Sequence, residues 1–186
     1  MIYALLDKEV LSKRALSLAK LSQKIQSLNI PIAQYRNKIG SLEEKIEDLL
    51  LIRKFYEGKL IINDTIELIE YVDGLHVGQE DIKSYNHDLN TAVSMIREKI
   101  ARKTLGLSTH NRQEIEEANG LDLDYIGLGA YRGTNTKTDA KVLGIEALAL
   151  AKFSTHPVGL IGGVKMDDIF GNEISYRVIG SDLYED

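Results

Sequence analysis

The stretch VDGLHVGQED, residues 72–81, runs a short apolar strand directly into an amide and two acids. LHV (75–77) has the character of a buried strand, and nothing aromatic covers Gln79, Glu80 and Asp81 where it ends. A single acidic tip is a turn. Polar tips after many strands mean more, because parallel α/β barrels carry their sites on the loops that follow the strands. The fold therefore turns on how the other apolar runs end.

Seven further runs read as strands: IYALL (2–6), PIAQY (31–35), LIIN (60–63), TLGL (104–107), YIGLG (125–129), VGLIGG (158–163, including its exit) and YRVIGS (176–181). Pro31 stands first in its run, where a strand tolerates proline. Helical patterns lie between them. Leu11, Ala15, Leu18, Leu21, Ile25 and Leu28 recur at steps of three and four and predict one amphipathic helix. Ser41 and Glu44 form a capping box ahead of Leu42, Ile46, Leu49, Ile52 and Tyr56. Thr65 to Tyr71 reads as a short helix, and Leu89, Val93, Ile96 and Ile100 form a helical stripe. Asn111 with Glu114 caps another helix, and 143–151 is helical.

Eight strands alternating with helices predict parallel βαβ units, and eight such units suggest a (β/α)8 TIM barrel. Such barrels usually take about 250 residues. With 186 residues here, and seven after Ile179, the final helix is expected to be reduced or missing. A doubly wound open sheet is the competing arrangement, but it does not need a polar cluster after nearly every strand.

Composition narrows the class. The length and 44% hydrophobic content suit one domain over 1–186. A net charge of −5 with both signs interspersed gives no mark of a nucleic-acid partner. The absence of cysteine excludes disulfides and thiolate metal sites and suits a reducing cytoplasm. No run approaches the ~18 apolar residues of a membrane span, and the first apolar run meets Asp7 too soon for a signal peptide. A soluble, cytoplasmic protein without a membrane partner is expected.

The strand exits suggest the chemistry. Gln34, Arg36 and Lys38 alternate at the second exit and point to one side of an extended chain. The third exit carries Asn63 and Asp64, the fourth Gln79, Glu80 and Asp81, the fifth Ser108, Thr109 and His110. The sixth opens into GAYRGTNTKTD (129–139), the seventh ends in Gly162-Gly163, the eighth in Gly180-Ser181. Glycines after the last two strands allow backbone N–H groups to approach a phosphate, with Thr134, Thr136 and Lys137 adding hydroxyls and a charge. Arg36 and Lys38 form a second cationic site. Asp64 and Asp81 suit Mg²⁺, which takes carboxylates together with substrate phosphates. Two anionic groups are implied, one of them a metal-bound diphosphate. Taken singly, Asp64 reads as a helix cap, Gly162-Gly163 as a turn, and Arg36 and Lys38 as a solvated strand end. His76, inside a strand, reads as a packed histidine. His87 and His156 read as surface or loop, and Tyr3 and Tyr35 as core.

The segments AQYRNK (33–38), IINDT (61–65), DGLHVGQEDI (73–82), GLSTHN (106–111), YIGLGAYRGTNTKTDA (125–140) and LIGGV (160–164) resemble the thiamine phosphate synthase family, in its order and near its spacings. The resemblance implies a small (β/α)8 barrel that joins 4-amino-2-methyl-5-hydroxymethylpyrimidine diphosphate to thiazole phosphate, giving thiamine phosphate and pyrophosphate. In that family Mg²⁺ assists departure of pyrophosphate, and the thiazole nitrogen captures a pyrimidine carbocation. It implies that Gln34, Arg36 and Lys38 hold the pyrimidine diphosphate, with Asn63 on the diphosphate. Asp64 and Asp81 would hold Mg²⁺, and Ser108 would lie by the pyrophosphate or the reacting pyrimidine. Lys137 would bind the diphosphate, Thr134 and Thr136 the thiazole phosphate, and Gly163 would give that phosphate its N–H. Gly180 and Ser181 complete the expected substrate set, with Arg36, Lys38, Ser108 and Lys137 as the catalytic residues.

The chain departs from the family in four places. Tyr131-Arg132-Gly133 replaces aromatic and proline residues, which loosens a lid or adds a cation near a phosphate. Thr65 follows Asn63-Asp64 where Arg is common. Gly180 stands where Ser is usual, with Ser181 one step later. The reduced last helix leaves the flank of the eighth strand to be covered by a terminal segment or a second chain, which makes a homodimer one expectation. Two rival readings remain: a thiazole tautomerase using His110, and a non-catalytic relative that binds thiazole phosphate or thiamine phosphate.

Overall fold

In the computed structural model, residues 1–133 and 142–185 are described. Parallel strands β1 (Ile2–Asp7), β2 (Ile32–Arg36), β3 (Lys59–Asn63), β4 (Gly74–Val77), β5 (Thr104–Thr109), β6 (Tyr125–Leu128), β7 (Val158–Leu160) and β8 (Tyr176–Ile179) follow one another around a barrel that β8 closes on β1. Successive side chains of a strand point to opposite faces, and that period sorts the core into two. Ala4, Leu6, Ala33, Leu60, Ile62, Leu75, Leu105, Leu107, Ile126 and Leu128 face outward and join the helices in one apolar layer. Tyr3, Ile32, Ile61, Tyr125 and Val178 face inward and fill the barrel.

The outer layer is closed by α2 (Leu18–Ser27), α3 (Leu42–Phe55), α5 (Leu89–Ile100), α6 (Arg112–Ala118) and α7 (Glu146–Ala151), numbered after α1 (Lys8–Lys13) and α4 (Gln79–Tyr85). Ile25, Leu49, Ile52, Ile96 and Ile115 are the buried stripes of these helices. The capping box at α3 is formed: Ser41 Oγ accepts from Glu44 N–H and Glu44 Oε2 accepts from Ser41 N–H. Ile66–Tyr71 is a 3-10 helix.

Two expectations are corrected. The single helix drawn through Leu11, Ala15 and Leu18 is two. Ala15 adopts φ 53°, which ends α1, and Ser17 Oγ accepts from Lys20 N–H to start α2. Ala15 and Leu16 are exposed, so the apolar period crosses the break without a face to bury. Second, Gln79, Glu80 and Asp81 are not a loop but the first turn of α4, where the positive end of the helix dipole favours Glu80 and Asp81.

Of the two covers expected for the flank of β8, a terminal segment or a second chain, the first is present. Residues 181–184 make a 3-10 turn that buries Leu183 to 1% exposure. Tyr184 Oη donates to Leu5 O at 2.6 Å and accepts from Asp7 N–H at 2.9 Å. Burial pushes the Tyr184 hydroxyl up to about 12, so it stays a donor at neutral pH. Phe170 and Ile174, from the long connection between β7 and β8, pack on the same outer layer. The covering comes from the chain's own terminal segment and this connection.

Candidate functional site

At the C-terminal ends of β2 to β5 the inward positions carry polar side chains, and Leu5, Ile161 and Val178 complete the wall. They surround a cavity of about 410 Å³. A hydrogen-bonded polar row runs from the buried barrel interior to this cavity, which His76 and Ser108 line. Tyr3 and Tyr125 share a hydrogen bond between their hydroxyls at 2.8 Å. His76 Nδ1 meets Tyr125 Oη at 2.9 Å and His76 Nε2 meets Ser108 Oγ at 2.9 Å. The His76 and Tyr125 rings stack with centroids 5.4 Å apart. Gly106 makes this possible, since a Cβ there would lie 2.2 Å from the Tyr125 ring and 2.6 Å from His76 Nδ1. Desolvation inside the barrel pushes both tyrosine hydroxyls up, keeping them neutral.

Gln34, Arg36, Asn63, Ser108, Gly163, Gly180 and Ser181 all line this cavity. Arg36 does not stand free in it. Asp7 is its register partner on β1, and Arg36 Nη1 lies 2.5 Å from Asp7 Oδ2 and 3.7 Å from Glu9 Oε1. Asp7 also caps α1 through Oδ1 to Val10 N–H.

Lys38, Asp64 and Asp81 form a cluster beside Asn63, just outside that lining. Lys38 Nζ lies 3.4 Å from Asp64 Oδ2 and 3.8 Å from Asp81 Oδ2. Asp64 adopts φ 61°, accepts from the Asn63 side-chain amide, and takes the Gly78 N–H on Oδ1 at 3.1 Å. Gly78 forms the cradle between the acids: a Cβ there would come within 2.7 Å of Asp81 Oδ2 and 4.0 Å of Asp64 Oδ1. Two hard carboxylates gathered around one cation fit Mg²⁺, which completes its shell with water and substrate phosphate. Among the described residues no group of three or more acids, histidines or cysteines gathers to hold a metal without a substrate.

Across the mouth, Gly162 (φ 94°) and Gly163 (φ 62°) turn the chain at the β7 exit in the left-handed region open to glycine. Among the described residues, no acceptor takes the backbone N–H of Gly162, Gly163 or Val164. Consecutive N–H groups that face one way in such a turn bind anions. Thr134, Thr136 and Lys137 lie outside the described residues.

A family model described as thiamine monophosphate synthase matches residues 2–170. The chain belongs to this family.

Among curated members, a thiamine-phosphate synthase of Persephonella marina is 36% identical over 139 residues, covering 72% of this chain and 63% of that protein. Thiamine-phosphate synthase 1 of Aquifex aeolicus is 29% identical over 170 residues, covering 88% and 74%. The chain thus spans a little under two thirds of the first of these relatives. A solved thiamine phosphate pyrophosphorylase from Pyrococcus furiosus superposes with a TM-score of 0.76 at 20% identity, covering 97% of this chain and 85% of that one, and shares the barrel fold.

In this member of the thiamine monophosphate synthase family, Arg132 of the altered 131–133 segment is not a free cation. Arg132 makes a two-pronged ion pair with Asp168, at 2.6 and 2.9 Å. The Arg132 hydrogen bond holds the Asp168 carboxyl below its ordinary value of 3.8. A carboxyl with a depressed folded value stabilises the fold above the unfolded value and loses that contribution as pH falls through the folded one. The stability gap between the parent and Asp168→Asn is therefore expected to stay constant above about pH 5 and to close in more acidic solution. Urea melts from pH 7 down to pH 3 check this. A gap that does not narrow at low pH rejects the pairing.

The residues that sequence reasoning passed over are also members of this wall. His76 was read as packed. It is buried, but its ring faces the cavity and orients Ser108. Its parity was the available signal, since His76 is the register partner of Asn63 on the inward face. Arg14, Lys165, Asp182 and Glu185 also line the cavity and had no strand-exit signal to mark them. His110, the residue a tautomerase would use, lies on the cavity wall with Nδ1 2.9 Å from Glu114 Oε2. Among the described residues, no helix is long and apolar enough to cross a membrane.

Proposed function

We propose that this chain is a thiamine phosphate synthase, coupling 4-amino-2-methyl-5-hydroxymethylpyrimidine diphosphate to thiazole phosphate with release of pyrophosphate. The observation that carries the reading is the pairing, at one barrel mouth, of two different anion sites. One is the Lys38–Asp64–Asp81 cluster beside Asn63, which would take a diphosphate through Mg²⁺, and the other is the glycine turn, whose N–H groups have no acceptor among the described residues. A transferase joining a diphosphate to a monophosphate needs both. The named activities of the curated relatives support it.

In this reading Gln34, Arg36 and Asn63 hold the pyrimidine diphosphate from the cavity side, and Lys38 holds it from the cluster. Asp7 and Glu9 keep Arg36 extended and aimed, at the cost of part of its charge. Asp64 and Asp81 would hold Mg²⁺, which when bound supplies positive charge to the departing diphosphate oxygens. The C–O bond to pyrophosphate breaks, and the thiazole nitrogen donates its electron pair to the same methylene carbon. No proton need be removed for either event. Ser108, held by His76, would donate to the leaving oxygens. His76 Nδ1 is bonded to a phenol, Tyr125, where a Ser-His-Asp triad places a carboxylate. Gly163, Gly180 and Ser181 bind the thiazole phosphate together with Thr134 and Thr136, and Lys137 binds the diphosphate. The rest is orientation: two substrates held in one cavity lower the barrier by ordering alone.

We also assign the chain one barrel domain over 1–186, a cytoplasmic location, Mg²⁺ as cofactor and two small-molecule substrates as partners. Homodimerisation is not required by the site.

The deciding experiment mixes purified protein with both substrates and Mg²⁺. Thiamine phosphate and pyrophosphate are expected in equal amounts, and EDTA should remove both. No product from folded protein that still binds thiazole phosphate would favour a tautomerase or a binding relative.

A further inference from the structure

Arg132 is not part of the cavity lining, yet it is bonded to the wall that is. Three consecutive carbonyls at the β7 exit are held by residues 131 and 132. Tyr131 N–H donates to Ile161 O at 2.8 Å, Arg132 N–H to Gly162 O at 2.8 Å, and Arg132 Nη1 to Gly163 O at 2.9 Å. The peptides that carry these carbonyls are trans. A planar trans peptide places its N–H opposite its C=O. The N–H groups of Gly162, Gly163 and Val164 therefore point away from the 131–132 segment, and those three residues line the cavity. The positive φ angles of Gly162 and Gly163 let successive peptides face the same way, which an extended strand does not.

The guanidinium is itself fixed. Both prongs rest on Asp168, whose Oδ2 also takes Lys165 N–H at 2.8 Å. Arg132 Cζ sits 4.5 Å from the centroid of the Tyr131 ring, and Tyr131 packs edge-on against Phe170. Asp168 thus grips the loop after β7 at Lys165, and Arg132 grips it at Gly163. The fork needs guanidinium geometry, because an ammonium cannot bond two carboxylate oxygens and a carbonyl in one plane.

We propose that Arg132, locked by Asp168, is a positioning residue that holds the Gly162–Val164 backbone as a preformed nest for the phosphate of the acceptor substrate. The proposal rests on the synthase reading above. Arg132 does not touch the phosphate. Its charge is matched by Asp168, so it acts through the direction of the peptides it bonds. Without it the turn still exists, but its N–H groups are no longer aimed before the substrate arrives, and binding must supply that ordering.

The test measures initial rates for Arg132→Ala, Arg132→Lys and Asp168→Asn, varying each substrate separately. Arg132→Ala is expected to raise KM for thiazole phosphate about tenfold, the loss of roughly one aimed charged hydrogen bond. kcat and KM for the pyrimidine diphosphate should stay within about twofold, because the cluster that holds the diphosphate is untouched. Arg132→Lys should recover only part of the loss. The dephosphorylated thiazole alcohol serves as the control acceptor: its kcat/KM should be the same in parent and variants, which a general structural defect would not spare. An unchanged KM for thiazole phosphate, or an equal loss with the alcohol, overturns the proposal. Should Arg132→Ala not fold, Asp168→Asn carries the same comparison with a nearly isosteric change. Should the parent lack turnover, the synthase reading fails by itself. Calorimetric binding of thiazole phosphate against the alcohol, in parent and Asp168→Asn, then decides the clamp: weakened phosphate binding supports it, and equal binding rejects it.

Discussion

Asp81→Asn is expected to lower turnover by about 10²- to 10³-fold, the range for losing one group that stabilises charge on a leaving oxygen. It should leave the affinity for thiazole phosphate unchanged. The change is nearly isosteric, and Asp81 sits in the first turn of α4 with a half-exposed side chain, so folding should survive. Its carboxylate shares Lys38 with Asp64 and borders Gly78, which places it at the diphosphate end of the mouth. The glycine turn that would take the acceptor phosphate lies at the opposite end of the strand order, after β7. In the variant Lys38 keeps Asp64 as a partner, but one of the two carboxylates that would recruit a divalent cation is gone. Turnover and acceptor binding measured on the same preparation check the expectation. Turnover within about threefold of the parent would remove Asp81 from the metal site. Loss of the folded state would make its role structural.

Leu183→Ala is expected to destabilise the protein by about 2–5 kcal/mol, the range for emptying a buried leucine site. That corresponds to a melting temperature lower by roughly 10 °C for a chain of this size. The side chain is 1% exposed and belongs to the outer apolar layer. A 3-10 turn of four residues has little stability of its own. It stays in place because Leu183 is buried and because Tyr184 bridges Leu5 and Asp7. Losing the anchor should also disturb the cavity, since Ser181, Asp182 and Glu185 line it. A thermal melt followed by circular dichroism tests the point. A shift below about 2 °C would mean that the terminal turn is a frayed tail and that β8 is protected by something else.

How much of this was legible beforehand depends on the range over which each feature is set. The count and order of strands were readable because apolar runs of three to six residues are local. The inward set was readable in principle for the same reason: Gln34 and Arg36 alternate on β2 and both reach the cavity. His76 and Ser108 obey the same parity on β4 and β5, but a histidine between apolar neighbours looks like core until the ring is seen beside a cavity. The break between α1 and α2 was hidden because a helical period across Ala15 and Leu16 says nothing about whether a surface waits for it. Gln79 to Asp81 read as loop because acids also suit turns, and α4 follows with only one fully buried side chain, Ile82.

By itself, then, the sequence determined the barrel and the ring of polar strand ends, since both follow from periods of two and 3.6 residues. Tertiary structure alone decided which charges meet. Arg36 faces Asp7 because β1 and β2 are in that register, 29 residues apart along the chain. Lys38 is shared by Asp64 and Asp81 because three successive strand ends converge, and Arg132 finds Asp168 because two loops close over β7. Ion pairs depend on distance in space, and no local period encodes it.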